Sequence, residues 1–209
     1  MLTGYSGVVV ADGYTVYSSL AAEPGSFALA NCWAHVRRKF VECENNHPEA
    51  ARTALDAVGK LYDIERTATD DNRAERRATE SRTVVDALFE WARSESARTL
   101  PRSDFAGALG YMLKLEPGLR QFLTDARIPL DNNASERALR GVVLGRKNHY
   151  GSRSRRGTEV AAIIYTLMES AKLAGVSPKG YLLAVLESAL KKPGAVLLPA
   201  DYKATLSKS

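Results

Sequence analysis

The sequence predicts a mostly helical α/β fold, and three observations predict it. Two short strand-like runs lie near the front of the chain. From about residue 49 onward, apolar residues recur at three- and four-residue spacing. Prolines and glycines then punctuate that pattern at helix-like intervals.

The first run, Gly7-Val8-Val9-Val10-Ala11, ends at Asp12-Gly13 and reads as a buried strand that presents an acid at its C-terminal end. Pro24-Gly25 supplies a turn. Phe27 to Trp33 (FALANCW) is the second strand, passing into a basic helical start at His35-Val36-Arg37-Arg38-Lys39-Phe40. Between Glu49 and Asp125 the period is helical. Leu55, Val58, Tyr62 and Glu65 form one stripe, widened by Leu61 and Ile64. Val85, Leu88, Phe89 and Ala92 form another, preceded by a charge-alternating run from Asp70 to Arg82 that reads as a solvated face. Pro101 breaks this helix, Phe105, Leu109, Met112 and Leu113 mark the next, and Pro117 opens a short one through Phe122 and Leu123. Beyond Pro129 a helix starts near Asp131. Val160, Ile163, Ile164, Leu167 and Ala171 mark an amphipathic helix that Gly175 ends, and Pro178 opens the last one. Lys191 to Gly194 stops it, leaving residues 195–209 as a loosely held tail.

At 209 residues the chain can bury one sizeable core, and 45% hydrophobic with 25% charged residues is ordinary for a globular protein. A net charge of +5 favours an acidic partner. No apolar run approaches the roughly 20 residues that span a bilayer, and the first residues lack the pattern of a signal peptide. The two cysteines, Cys32 and Cys43, make no disulfide framework and point to a reducing cytoplasm.

The segment with most chemistry is Asp131-Asn132-Asn133-Ala134-Ser135-Glu136-Arg137-Ala138-Leu139-Arg140. Glu136 is followed by Arg137, Arg140, Arg146, Lys147, Arg153, Arg155 and Arg156 before the next acid, Glu159. An acid in so basic a setting suits a metal ligand beside a phosphate backbone: the cations attract the polyanion and the carboxylate holds a divalent ion. A structural alternative stays open, in which Asn133 caps the helix, Glu136 is its N3 partner and Asp131 favours the helix dipole. Asp12 is likewise either a metal ligand at a strand end or half of an Asp-Gly turn. The run from Gly145 to Arg153 reads as a loop whose glycines and cations suit phosphate and whose Tyr150 could stack on a base. Cys32, His35, Cys43 and His47 have zinc-ligand residue types, but their short spacer favours a buried cysteine and a hydrogen-bonded His35.

Taken together, ADGYTVY, NCWAHVRRKF, LYDIE, IPLDNNASERALR, LGRKNHYGSRSRRG, AAIIYTLMESAKLAGVSPKGYL and VLLPADY resemble, in order, the blocks of transposases of the insertion-sequence-sixty-six type. The resemblance implies a ribonuclease-H-like domain with an Asp-Asp-Glu triad. On this reading, residues 1–40 hold the remaining strands of that core and 41–128 a helical insertion. Residues 129–192 then hold the catalytic-Glu helix, the basic loop and the C-terminal helices, and 193–209 the tail. It also implies Asp12 and Glu136 as catalytic and metal-binding acids, and two Mg²⁺ ions in the complete enzyme. Cys32 and His35 become site support, and Arg137, Arg140, Arg146, Lys147 and Arg153 become DNA contacts. The implied partners are DNA (transposon ends and target), an upstream transposase portion and a second copy of the chain. The departure is that no acid precedes Asp12, so the early strands and one Asp of the triad are missing. The chain therefore reads as a transposase fragment, nearly inert alone. The competing reading is a non-catalytic DNA-binding helical module.

Overall fold

In the computed structural model, which describes residues 4–148 and 154–206, the chain is mostly helical with one small sheet. It divides into two compact units, Met1–Ala134 and Ser135–Ser209.

In the first unit, strand β1 (Val8–Ala11) and strand β2 (Ala28–Asn31) pair in parallel, Val8 opposite Ala28 and Ala11 opposite Asn31. Parallel neighbours need a crossover, and helix α1 (Thr15–Ala21) provides it. A two-stranded sheet is marginal by itself, so helices must cover it. Helix α2 (Trp33–Cys43) leaves the end of β2 directly. Helix α3 (Pro48–Thr67) begins with Pro48 in its first turn and packs on α2. A short helix, α4 (Arg73–Arg76), and a π-helical turn (Arg77–Ser81) lead into α5 (Arg82–Arg98). Ser103 caps α6 (Asp104–Lys114), its side chain accepting from Ala106 N. Helix α7 (Glu116–Leu119) carries Pro117 in its first turn, and one 3₁₀ turn (Gln121–Leu123) follows.

The core lies among these helices. Trp33, Val36 and Phe40 of α2 meet Val58 and Leu61 of α3, Val85 and Phe89 of α5, and Leu109 and Met112 of α6, all fully buried. The Trp33 ring packs edge-on to Phe89 and to Phe122, with centroids 6.2 and 6.3 Å away. Helix α7 lies so close to β2 that a Cβ on Gly118 would overlap Asn31 Oδ1 and come within 3.2 Å of the Leu29 carbonyl. Glycine is required there for space.

The charge-alternating run from Asp70 to Arg82 departs from its predicted solvated face. Arg77 is 2% exposed. Its Nε and Nη2 donate to the two carboxylate oxygens of Glu65, each at 2.7 Å. Its Nη1 donates to the carbonyls of Phe122, Asp125 and Ile128 at 2.8, 2.9 and 2.9 Å. These carbonyls belong to an irregular segment that has no ladder to satisfy them. Glu65, which the sequence places in the apolar stripe of α3, is the matching counter-charge.

The second unit contains the body of helix α8 (Asn133–Asn148), α9 (Arg155–Leu173), α10 (Pro178–Lys191) and α11 (Pro199–Leu206). Gly175, at φ +71, ends α9 in a Schellman arrangement: Gly175 N donates to Lys172 O and Val176 N to Ala171 O. Ser177 caps α10 and Pro178 opens it. The apolar stripe of α9 is exposed at Val160, Ile163 and Ile164, and is buried only at Ala171. Ala171, Val176 and Tyr181 form the small core of this unit. Two predicted irregular segments are helical. Gly145 to Asn148, read as the start of a basic loop, extends α8. The tail, read as loosely held, contains α11, where Tyr202 packs on Tyr181, Tyr181 OH donates to Leu197 O at 2.7 Å, and Lys203 Nζ donates to Ala174 O at 2.9 Å.

Replacing Arg77 with methionine would leave Glu65 only the 3.8 Å contact from Arg73 among the described residues, and would take the buried guanidinium donor from three carbonyls. The expected loss is about 3–5 kcal/mol of folding stability in urea unfolding, with Arg77→Lys recovering little of it because an ammonium cannot reproduce the fork.

Candidate active site

Asp12 is half-buried at the end of β1. Its Oδ1 accepts from Tyr14 N at 3.1 Å, so the predicted turn exists and also fixes the carboxylate. Its backbone carbonyl accepts from Asn31 Nδ2 at 3.1 Å, tying the ends of the two strands together. Gly13 N donates to Tyr111 OH at 3.1 Å, and a Cβ on Gly13 would lie 2.7 Å from the Tyr111 ring. Tyr111 comes from α6, almost a hundred residues away. Burial pushes its phenol pKa up against the pull of the Gly13 N–H, and the Asp12 charge adds to the rise. The Tyr111 oxygen accepts from Gly13, so its own proton is left to donate.

Cys32 sits between β2 and α2, 1% exposed, and its N–H extends the sheet to the Ala11 carbonyl at 3.0 Å. Burial raises its thiol pKa. The backbone N–H groups of Asn132, His35 and Ala34 around the sulfur act in the opposite direction, and the Asp131 charge raises it further. His35 is half-buried in the first turn of α2. Next to Cys32, Trp33 N donates to the Leu130 carbonyl at 3.1 Å.

Asp131 accepts from Tyr62 OH at 2.8 Å, from Asn133 N at 3.0 Å and from Asn133 Nδ2 at 2.7 Å. Burial and this bond to Asp131 hold the Tyr62 phenol protonated, far above its ordinary range. The register differs from the expected capping box. Asn133 is the first residue of α8, and Asp131 is the acid that accepts at the helix start. Glu136 lies in the first turn of α8 and is exposed, as are Arg137 and Arg140. Arg146 and Lys147 fall on α8, but their side chains lie outside the described residues, and so does the whole of Arg153.

The first unit thus brings together the Asp12-Gly13 end of β1, the Asn31-Cys32 end of β2 and the Leu130-Asp131-Asn132 segment. Glu136, Arg137 and Arg140 belong to the second unit. Sequence reasoning missed Asn31, Tyr111 and Tyr62. Asn31 was detectable as a polar residue closing an apolar strand. Tyr111 lay off the apolar stripe assigned to its helix, and Tyr62 sat within a stripe taken as core.

A family model described as "Transposase IS66 family" matches residues 1–160. The chain belongs to this family. Among curated proteins it is similar to three from Sinorhizobium fredii (strain NBRC 101917 / NGR234), each called an uncharacterized protein. It is 36% identical to y4qI across 88% of this chain and 36% of the relative. It is 34% identical to y4hP across 97% and 41%, and 33% identical to y4jD across 97% and 42%. The chain therefore spans about two fifths of the length of these relatives. No solved structure matches it.

Among the described residues no three His, Cys, Asp or Glu side chains gather as a metal set. The zinc alternative gains no support: Cys43 Sγ donates to the Phe40 carbonyl, and His47 faces Asp104 at 3.4 Å while stacking on Phe105. No described helix is long and apolar enough to cross a membrane.

With both thiols buried and their pKa values raised by that burial, Cys32 and Cys43 should resist iodoacetamide at pH 8 in the native protein and label rapidly in urea. Peptide mass spectrometry reads the outcome; fast native labelling of Cys32 would contradict its placement beneath the Asn132 segment.

Proposed function

We propose that this chain supplies part of a ribonuclease-H-like DNA strand-transfer site, with Asp12 and Glu136 as its acids and the basic face of α8 as a phosphate contact. The observation that carries this reading is the meeting of the Asp12 strand end, the Cys32 junction and the Asp131–Asn132 segment, three motifs far apart in sequence. Helices α3 to α7 then form an insertion between the strands and the Glu136 helix.

Carboxylates are the right donors for Mg²⁺, a hard ion that prefers oxygen. Asp12 and Glu136 would hold such ions, and the chemistry supplied would be activation of an attacking hydroxyl and neutralisation of charge on the leaving oxygen of a phosphodiester. These two residues would supply two carboxylates to the ligand set. The Tyr14 N–H holds one oxygen of Asp12 and leaves the other available. Tyr111 can donate its proton to a phosphate oxygen beside Asp12. Arg137 and Arg140 neutralise backbone charge without reading sequence, and Arg146, Lys147 and Arg153 extend that tract along the chain.

A second reading, a DNA-binding module without catalysis, is favoured by the lack of a three-acid group among the described residues. The two differ in metal affinity. On the transposase reading, Mn²⁺ binding measured by calorimetry weakens at least about tenfold in both Asp12→Asn and Glu136→Gln. Unchanged binding in either variant would remove that residue from the site. Mg²⁺-dependent nicking of supercoiled DNA by the wild-type chain is expected to run on the order of a thousandfold below that of a complete three-acid enzyme. Robust turnover that survives both substitutions would reject the assignment.

A further inference from the structure

A recess of about 530 Å³ opens in the first unit between α2, α3 and the start of α8. Helix α2 lines it with Ala34, Arg37, Arg38 and Val41, a single face at helical spacing. The opposite wall is Gly59 and Tyr62 of α3, with Asp63 at the rim and Asn133 at one end. A Cβ on Gly59 would meet nothing within 4 Å, so the glycine leaves open floor.

The charges around this recess are unevenly satisfied. Asp131, beneath Tyr62 and Asn133, already accepts three hydrogen bonds. Asp63 is paired with Arg66 at 2.8 Å. On α2, Lys39 is paired with Glu42. Arg37 and Arg38 are exposed, and among the described residues neither has a carboxylate within ion-pair distance. Arg73, Arg77 and Arg120 of the same unit each face an acid, while Arg52, Arg82 and Arg102, like Arg37 and Arg38, have none among the described residues, and only Arg37 and Arg38 of these line the recess. Two adjacent guanidinium groups beside an open polar recess suit a phosphate, whose oxygens accept the paired donors of the fork.

We propose that this recess is a second DNA-backbone site, separate from the tract on α8, in which Arg37 and Arg38 hold one or two phosphates of a duplex. The proposal rests on the reading of DNA as the partner of this chain. Its argument is charge complementarity between the two guanidinium groups and a phosphate backbone.

The test is fluorescence anisotropy with a labelled duplex of arbitrary sequence, in EDTA, across a series of salt concentrations. EDTA removes any contribution from metal at Asp12 or Glu136. Arg37→Gln/Arg38→Gln should weaken binding on the order of tenfold or more and flatten the log–log salt dependence by about 1 to 2. Gly59→Leu, which changes no charge and fills the floor, should weaken binding as well. Circular dichroism melts confirm that the variants stay folded. An unchanged affinity and slope in the double variant, with Arg137→Gln/Arg140→Gln still impaired, would overturn the recess and spare the DNA reading. Loss in the double arginine variant with full binding by Gly59→Leu would also overturn it, because general charge would then suffice. No binding by the wild-type chain would sink both.

Discussion

Trp33 gives both of its N–H groups to the chain that returns from the helical block, and the rest of the first unit is built around that fact. Its indole Nε1 donates to the Leu119 carbonyl at 3.0 Å, and its backbone N to the Leu130 carbonyl at 3.1 Å. Between those two points Arg77 takes the carbonyls of Phe122, Asp125 and Ile128. Apart from one 3₁₀ turn, the segment from Arg120 to Leu130 has no regular structure, and its core-facing carbonyls must find donors. A fully buried tryptophan and a 2% exposed arginine provide them. The segment is thereby laid against the end of β2, and Asp131 and Asn132 arrive beside Cys32. The position from which α8 starts is a product of those carbonyl contacts.

Much of this architecture was legible in the sequence. The β-branched run and the second apolar run gave strands that the structure places at Val8–Ala11 and Ala28–Asn31, and Pro117, Gly175 and Pro178 sit where their backbone preferences require. These features are local, so local pattern reveals them. Arg77 was hidden for the opposite reason. Nothing within the run from Asp70 to Arg82 indicates that carbonyls 45 to 51 residues away need a donor. Likewise the 195–209 segment has weak periodicity, and its helix is held by Tyr181 and by Lys203 at the end of α9, contacts that only the fold creates. The exposed stripe of α9 shows the converse: periodicity announces an apolar face without saying what it faces.

The candidate site divides in the same way. Asp12 and Glu136 stood out because acids at a strand end and within a basic helix are unusual in composition. Their surroundings did not. Tyr111 reaches Gly13 from α6, Tyr62 reaches Asp131 from α3, and both lie in what resemblance assigns to an insertion. The helical block is therefore in direct hydrogen-bonded contact with the strand end that carries one candidate acid and with the segment leading to the other. It is part of the frame around the candidate site.

Asn31 shows how tightly that frame is interlocked. Its amide nitrogen holds the Asp12 carbonyl while its oxygen rests where Gly118 has no side chain. Enlarging residue 118 would push Asn31 aside and release the backbone that carries the acid, although residue 118 touches neither DNA nor metal in any reading of the site. Across relatives, these three positions should drift together or stay fixed together. A lineage in which only one of them has changed would need another way to hold the two strand ends together.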